Sequence, residues 1–249
     1  SMCGIIGYVG PREASRVVVE GLRRMEYRGY DSAGVAVVAD GAIDYRKKAG
    51  KISNLDAEIA ADPLPESGLG IGHTRWATHG GPTDRNAHPH ISANGRVALI
   101  HNGIIENFAP LRAELQAQGV PFSSETDTEV AAQLLGREVE GGADLADAMR
   151  TVCRTLQGAF TLVAIDRDEP ARLVAARRNS PLVVGLGEGE NFVASDVSAF
   201  IEFTRHAVEL GQDRVVDVTA DSFSVTDFDG NPADSHPFEV TWDLSAAEK

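Results

Sequence analysis

Short apolar runs recur along the chain and predict a series of buried strands. The runs cover residues 5–9, 34–39, 69–73, 97–101, 160–166, 173–176, 182–186, 192–194 and 214–218. Apolar residues at helical spacing predict α-helices over residues 13–25, 110–118, 128–139 and 145–156. Asp40-Gly41 and Asp229-Gly230 are typical of hairpin turns. Because strands dominate the last third, the pattern favours an α+β layered fold with antiparallel pairing.

Composition and charge exclude several classes of function. The chain has 249 residues and a formal net charge of −14, which argues against a nucleic-acid partner. No apolar run reaches the roughly 18 residues of a membrane span, and the N-terminal residues lack the basic segment and apolar stretch of a secretory signal. Two cysteines are too few for a disulfide framework. We therefore expect a cytoplasmic protein in which Cys153 is a small core residue.

Cys3 is the first candidate for chemistry because of its place near the start of the chain. A cysteine at an exposed N-terminus carries a nucleophilic sulfur and an α-amine that can act as its base. Ser1-Met2, which precede Cys3, are typical of residues left by an expression tag. While they remain, the nitrogen of Cys3 is part of a peptide bond and cannot act as that base.

Two polar segments follow predicted elements and allow more than one interpretation. Residues 27–34, YRGYDSAG, form either a simple helix stop or a site in which Arg28 and Gly29 lie beside Cys3 on adjoining strands. In residues 72–82, Arg75 is a natural clamp for a carboxylate, and Trp76 is either a site residue or a core aromatic. For residues 88–90, His-Pro-His, a polar loop is favoured over a metal site.

Two further segments carry groups that suit amide hydrolysis. Asn102 and Gly103 end a predicted strand, and their amides suit the oxyanion of a tetrahedral intermediate, although an Asn-Gly turn is also common. Thr126 and Glu129 have capping-box spacing, which places Asp127 in the first turn of a helix. Asp127 there is either a helix-end charge or a receptor for an ammonium group, complementary to Arg75.

Five blocks of sequence together resemble one family. They are CGIIGYVG at 3–10, YRGYDSAG at 27–34, HTRWATHG at 73–80, HNGIIEN at 101–107 and SETDTE at 124–129. In this order they are similar to the glutaminase half of the glutamine–fructose-6-phosphate aminotransferase family, which belongs to the class II glutamine amidotransferases. The resemblance covers essentially the whole chain. It implies an N-terminal-nucleophile hydrolase fold, a four-layer α/β/β/α sandwich with two mainly antiparallel sheets.

The resemblance also implies a role for each matched residue, with no cofactor and no metal. Cys3 would be the nucleophile for L-glutamine, Asn102 and Gly103 the oxyanion hole, and Arg28 and Gly29 the support of Cys3. Substrate-binding residues would be Arg75, Trp76, Thr78, His79 and Asp127, with Trp76 also gating ammonia. His88 and His90 match a loop near the domain boundary and receive no catalytic role.

The same resemblance predicts the organisation of the domain and its partners. The glutaminase domain would span residues 3–242, and residues 243–249 would begin a linker to a synthase half that uses fructose 6-phosphate. The whole enzyme would be a homo-oligomer. Two alternatives stay open at this point: the glutaminase half of a purine-pathway amidotransferase, and a non-catalytic glutamine-binding module.

Overall fold

The computed structural model describes residues 3–241. The leading dipeptide Ser1-Met2 and the linker predicted at 243–249 lie outside the described residues. Five α-helices occur in the described range: α1 (Ala14–Arg24), α2 (Ile52–Ala61), α3 (Phe108–Ala117), α4 (Asp127–Glu140) and α5 (Leu145–Thr155). Short 3₁₀ turns cover Glu26–Arg28, Asp84–Asn86 and Val197–Ala199.

The strands form two sheets in which every pair of named neighbours is antiparallel. In chain order the strands are β1 (Gly4–Val9), β2 (Ser32–Ala39), β3 (Ala42–Ala49), β4 (Leu69–Arg75), β5 (His90–Ile91), β6 (Val97–Ile105), β7 (Gly158–Asp166), β8 (Arg172–Arg178), β9 (Val183–Leu186), β10 (Asn191–Ala194), β11 (His206–Leu210), β12 (Arg214–Thr219), β13 (Phe223–Asp227) and β14 (Ser235–Glu239). The first sheet has the order β14-β11-β9-β10-β1-β4-β2-β3, and the second has β13-β12-β8-β7-β6-β5.

The alternation of side chains along the strands shows which face of each sheet packs against helices and which faces the other sheet. On β1, Ile6 and Tyr8 pack with α1 and α2 on the outer side, whereas Ile5 and Val9 join a core shared by both sheets. A third core packs the second sheet against α3, α4 and α5. The order helix, sheet, sheet, helix is the predicted α/β/β/α sandwich. Cys153 is fully buried in the third core, as predicted.

Several elements were missed because their hydrophobic signal is weak. Helix α2 buries only Ile52 and Leu55, so its apolar stripe is too short to stand out. The edge strand β14 is mostly exposed and lacks the alternation that marks a half-buried strand. The hairpin at Asp40-Gly41 is confirmed by positive φ angles of 54° and 73°.

The second predicted hairpin, at Asp229-Gly230, forms a turn but does not connect two paired strands. After β13 the turn makes a single bridge between Thr226 and Pro232. The chain then crosses to the first sheet, where β14 pairs with β11. Asp227 explains the turn, because its carboxylate accepts the backbone N–H groups of Asp229 and Asn231, each at 2.9 Å.

Gly34 allows a close approach that the candidate site depends on. It lies on β2 opposite His73 of β4. A Cβ atom at residue 34 would lie 1.8 Å from the carbonyl oxygen of His88. The segment that carries His88 therefore packs directly on the backbone of β2, and any side chain at residue 34 would push it away.

We expect Gly34→Ala to lower the free energy of unfolding by at least about 1–3 kcal/mol, because the new methyl group collides with backbone. Urea unfolding measures this change. Gly211→Ala is the control, since its new Cβ would meet no atom closer than 3.8 Å. Equal stability of the two variants would show that the segment around His88 is not held against β2.

Candidate active site

Cys3 lies where the ends of the two sheets meet. It precedes β1, which lies between β10 and β4. The backbone N–H of Trp76 donates to Cys3 Sγ at 3.1 Å, and Asn102 Nδ2 donates to the Cys3 carbonyl oxygen at 3.0 Å. The next N–H, of Gly4, donates to Thr74 Oγ1 at 2.9 Å. Strand β4 of one sheet and β6 of the other therefore both fix the position of Cys3.

The environment of Cys3 keeps its sulfur protonated at rest. Burial raises the pKa of the thiol above its ordinary value of 9.0. The N–H of Trp76 and the charge of Arg75 oppose this shift, while the charge of Asp31 adds to it. Because burial outweighs the favourable contacts, the thiol needs a base before it can act as a nucleophile.

Asn102 and Gly103 are consecutive residues of β6, and the Asn102 side chain faces the first sheet. Ala98 and Ile100 of the same strand join the core between the sheets, and alternation places Asn102 on that inner face. The Asn102 side chain is buried, and its Oδ1 lies 2.9 Å from His73 Nε2. Gly103 has φ +111°, and a Cβ there would lie 2.1 Å from the Ala159 carbonyl oxygen. Only glycine fits that backbone.

Arg75 ends β4 and organises the loop that follows. Its guanidinium donates to the carbonyl oxygens of His79 at 2.5 Å, Gly80 at 3.2 Å and Gly81 at 3.1 Å. Burial lowers the pKa of Arg75, and the charge of Asp31 opposes that shift most strongly. The Asp31 carboxylate also accepts the N–H of Ala77 at 2.9 Å. The loop over the cavity is thus tied to the same arginine that the sequence predicts as a carboxylate clamp.

Asp127 begins α4 and is buried beside β6. Thr126 is the N-cap, and its Oγ1 accepts the N–H of Glu129 at 3.3 Å, as the predicted capping box requires. The Glu129 carboxylate reaches back to the N–H groups of Ser123 and Ser124. Asp127 Oδ2 accepts the N–H of Ile105 at 2.9 Å. The cap and β6 together set the position of the Asp127 carboxylate.

Most of the predicted site residues line one cavity of about 200 Å³. A cavity of this size suits a small polar molecule such as an amino acid. The predicted residues on its wall are Cys3, Arg75, Trp76, Thr78, Asn102, Gly103 and Asp127. Trp76 is 49% exposed, so the interpretation of Trp76 as a core aromatic is wrong.

Arg28, Gly29 and His79 lie outside the cavity wall. The expected pairing of the strands that follow Cys3 and Gly29 is wrong, because β4 lies between β1 and β2. Arg28 instead forms an ion pair with Asp196, just after β10, and a Cβ at Gly29 would lie 4.0 Å from the Trp76 ring. The His79 ring packs on Phe108 with 4.7 Å between ring centroids, so His79 contributes its backbone carbonyl to Arg75.

The segment that contains His88 and His90 is a buried wall and not a polar loop. Both side chains are at most 4% exposed, and burial lowers the pKa of each histidine well below its ordinary value. Their Nε2 atoms lie 3.3 Å from Thr128 Oγ1 and 2.9 Å from Thr126 Oγ1, respectively. Within residues 3–241, no group of three or more His, Cys, Asp or Glu side chains is arranged to hold a metal ion.

Comparison with known families agrees with this geometry. The sequence profile of the glutamine amidotransferase domain matches residues 56–231, which include Arg75, Asn102 and Asp127. The chain belongs to the glutamine amidotransferase domain family. This amidotransferase domain is 65% identical over 248 residues to the glutamine–fructose-6-phosphate aminotransferase (isomerizing) of Streptomyces coelicolor. It is 64% identical over 256 residues to the protein of the same name from Corynebacterium efficiens.

The matches cover the whole of this domain but only part of those relatives. All of this chain aligns with 40% of the Streptomyces protein and 41% of the Corynebacterium protein. Among solved structures, the glutamine phosphoribosylpyrophosphate amidotransferase from B. subtilis, complexed with ADP and GMP, has a TM-score of 0.77 and 26% identity. That match covers 92% of this chain and 50% of the other. The likeness confirms the predicted fold.

None of the helices between residues 3 and 241 is long and apolar enough to cross a membrane. This finding concerns only the part of the chain that the structure describes.

The raised pKa of Cys3 predicts how its thiol reacts with a small neutral alkylating reagent in the chain that carries Ser1-Met2. Because the thiolate is the reactive form, the rate should keep rising with pH past 9.0, the ordinary value for a thiol. Alkylation quenched at a series of times, followed by peptide mass spectrometry, measures the rate. The buried Cys153 is an internal control that should stay unlabelled in folded protein. A plateau reached at neutral pH would contradict a raised pKa.

Proposed function

We propose that this domain hydrolyses the side-chain amide of L-glutamine to L-glutamate and ammonia through a thioester on Cys3. One observation carries the proposal: a thiol, two amide donors, a guanidinium and a carboxylate surround one small cavity. Each of these groups matches a group of glutamine or a charge that develops during hydrolysis of its amide. A non-catalytic glutamine-binding module would have no use for a nucleophile placed beside oxyanion donors.

In the acylation step, Cys3 Sγ attacks the side-chain carbonyl carbon of glutamine. The α-amine of Cys3, once freed, takes the thiol proton and later delivers it to the departing ammonia. Negative charge develops on the substrate oxygen, where Asn102 Nδ2 and the Gly103 N–H stabilise it. Loss of one such donor typically costs about 2.7–4 kcal/mol of barrier. The carbon–nitrogen bond breaks, and a γ-glutamyl thioester remains on Cys3.

In the second step, water attacks the thioester carbon with the same amine as its base. The oxyanion forms at the same two donors, and collapse of the intermediate breaks the carbon–sulfur bond. The amine returns its proton to the leaving thiolate, which restores Cys3. Glutamate is then released. One site therefore serves both steps, since the developing charge lies on the same oxygen each time.

The other end of the substrate is held by opposite charges. Asp127 supplies a carboxylate for the α-ammonium group, and Arg75 has N–H donors beyond its bonds to the loop for the α-carboxylate. Thr78 lies on the cavity wall beside them. His79 shapes the loop through its carbonyl oxygen, and Arg28 and Gly29 support Cys3 indirectly, through Asp196 and Trp76.

In the whole protein, we propose that the ammonia passes to fructose 6-phosphate and yields glucosamine 6-phosphate. The names of the relatives at 64–65% identity support this branch, and the purine-pathway alternative has support only from structures at 26–27% identity. The exposed Trp76 beside Cys3 would control the passage of ammonia. We further propose a domain boundary near residue 242, a homo-oligomeric whole enzyme and a cytoplasmic location.

The role of the amine gives the main test of the proposal. A chain that begins at Cys3 should release glutamate from glutamine, whereas the chain that keeps Ser1-Met2 should be nearly inactive because its nitrogen is an amide. Coupled glutamate assays measure both, after mass spectrometry of each N-terminus. Cys3→Ala is the matched control and should abolish activity. Equal turnover by the two chains would exclude the α-amine as the base.

A glutamine-like electrophile separates the enzyme from a non-catalytic glutamine-binding module. Stoichiometric labelling of Cys3 in the active chain supports catalysis. Reversible binding without labelling supports the module.

The assignment of Asp127 predicts a change in substrate preference. Asp127→Asn should raise KM for glutamine by about 10- to 100-fold, because a charged hydrogen bond to the ammonium group is lost. For glutaramic acid, which lacks the α-amine, the variant and the unchanged enzyme should have similar KM values. Steady-state kinetics with both substrates measures this coupling. An equal KM increase for both substrates would show that Asp127 does not bind the amine.

A further inference from the structure

We propose that His73 is a positioning residue that orients the Asn102 amide for the oxyanion. This inference rests on the proposed glutaminase function and deepens it. The sequence marks His73 only as part of a polar block, and its place on β4 opposite Gly34 gives no sign of a catalytic contact. The structure places its ring directly behind the side chain that is proposed to hold the oxyanion.

The hydrogen bonds of Asn102 determine which of its ends faces Cys3. A backbone carbonyl can only accept, so the atom that lies 3.0 Å from the Cys3 carbonyl oxygen must be the donor Nδ2. The Asn102 oxygen Oδ1 then lies 2.9 Å from His73 Nε2, which must carry the hydrogen. If the Asn102 side-chain amide were flipped, its oxygen would face the Cys3 carbonyl oxygen. The hydrogen bonds to Cys3 and to His73 would then both be lost.

His73 is suited to this task because it stays neutral. Burial lowers the pKa of His73 to about 3, so the ring holds one proton across the pH range in which enzymes act. That proton lies on Nε2, as the Asn102 contact requires. A neutral donor orients the amide without placing a second positive charge beside Arg75.

The plane of the His73 ring is fixed by the buried wall around His88. The two rings stack with centroids 4.0 Å apart and an angle of 12° between their planes. His88 is held at both nitrogens, since Nδ1 accepts the N–H of His101 at 3.3 Å and Nε2 lies 3.3 Å from Thr128 Oγ1. Gly34 gives His88 the room for this position.

These contacts connect the two ends of the proposed substrate site. Thr128 follows Asp127 on α4, and His101 precedes Asn102 on β6. A chain of buried contacts therefore runs from the helix end that carries the ammonium receptor, through His88 and His73, to the oxyanion donor. Removal of the Nε2–H at residue 73 leaves Asn102 Oδ1 without its donor and frees the amide to turn.

The test compares three variants in the chain that begins at Cys3. His73→Phe keeps an aromatic ring but has no donor, and it should lower kcat by about 100-fold with little change in KM. His73→Gln places an amide N–H near the former Nε2 position and should recover most of the loss. Tyr8→Phe is the control for loss of a buried hydrogen-bond donor, because Tyr8 Oη donates to Glu190 at 2.8 Å and does not bond Asn102. It should lower the melting temperature but leave kcat nearly unchanged.

A second measurement on the unchanged protein does not depend on how the variants fold. Nitrogen NMR of the histidine rings should show His73 as the neutral Nε2–H form, with no titration at neutral pH. A neutral Nδ1–H form would overturn the inference, as would a folded His73→Phe variant with full kcat or a His73→Gln variant with no recovery. If the unchanged chain that begins at Cys3 releases no glutamate, the proposed function fails instead, and the two failures are thus distinguishable.

Discussion

The hydrogen bond from Asn102 Nδ2 to the Cys3 carbonyl oxygen is the contact on which the site depends. It joins the residue before β1 of the first sheet to β6 of the second, across 99 positions of sequence. Much of the remaining contact between the two sheets is made by apolar side chains such as Ile5 and Ile100, whose packing is non-directional. The polar contact at the strand ends adds direction, because it fixes the nucleophile and the oxyanion donor in one geometry.

Burial controls the charge of the groups around this contact. It raises the pKa of Cys3 and lowers that of His73, so both side chains are neutral at rest. Arg75 stays charged but donates to three carbonyl oxygens of the following loop. The charged groups on the cavity wall are therefore Arg75 and Asp127, and both are held in fixed positions. Together they can recognise the charged end of an amino acid.

The sequence predicted the layered fold well where alternation was strong and poorly where burial was slight. Strands such as β1 and β6 can be predicted from their own residues, because apolar side chains on both faces enter different cores. The edge strand β14 has no such signal, and its pairing with β11 depends on contacts distant in sequence. Site residues on strand ends were found from their chemistry. The role of His88 was not predicted, because its burial depends on Gly34, a glycine on another strand.

The central claim is that Cys3 Sγ forms a covalent bond to the side-chain carbon of glutamine. Rapid acid quenching of the chain that begins at Cys3 during turnover, followed by peptide mass spectrometry, tests it directly. The account predicts one added glutamyl group on the peptide that contains Cys3, absent after Cys3→Ala and diminished once glutamine is exhausted. Steady release of glutamate with no adduct on Cys3 at any quench time, or an adduct on another residue, would contradict it.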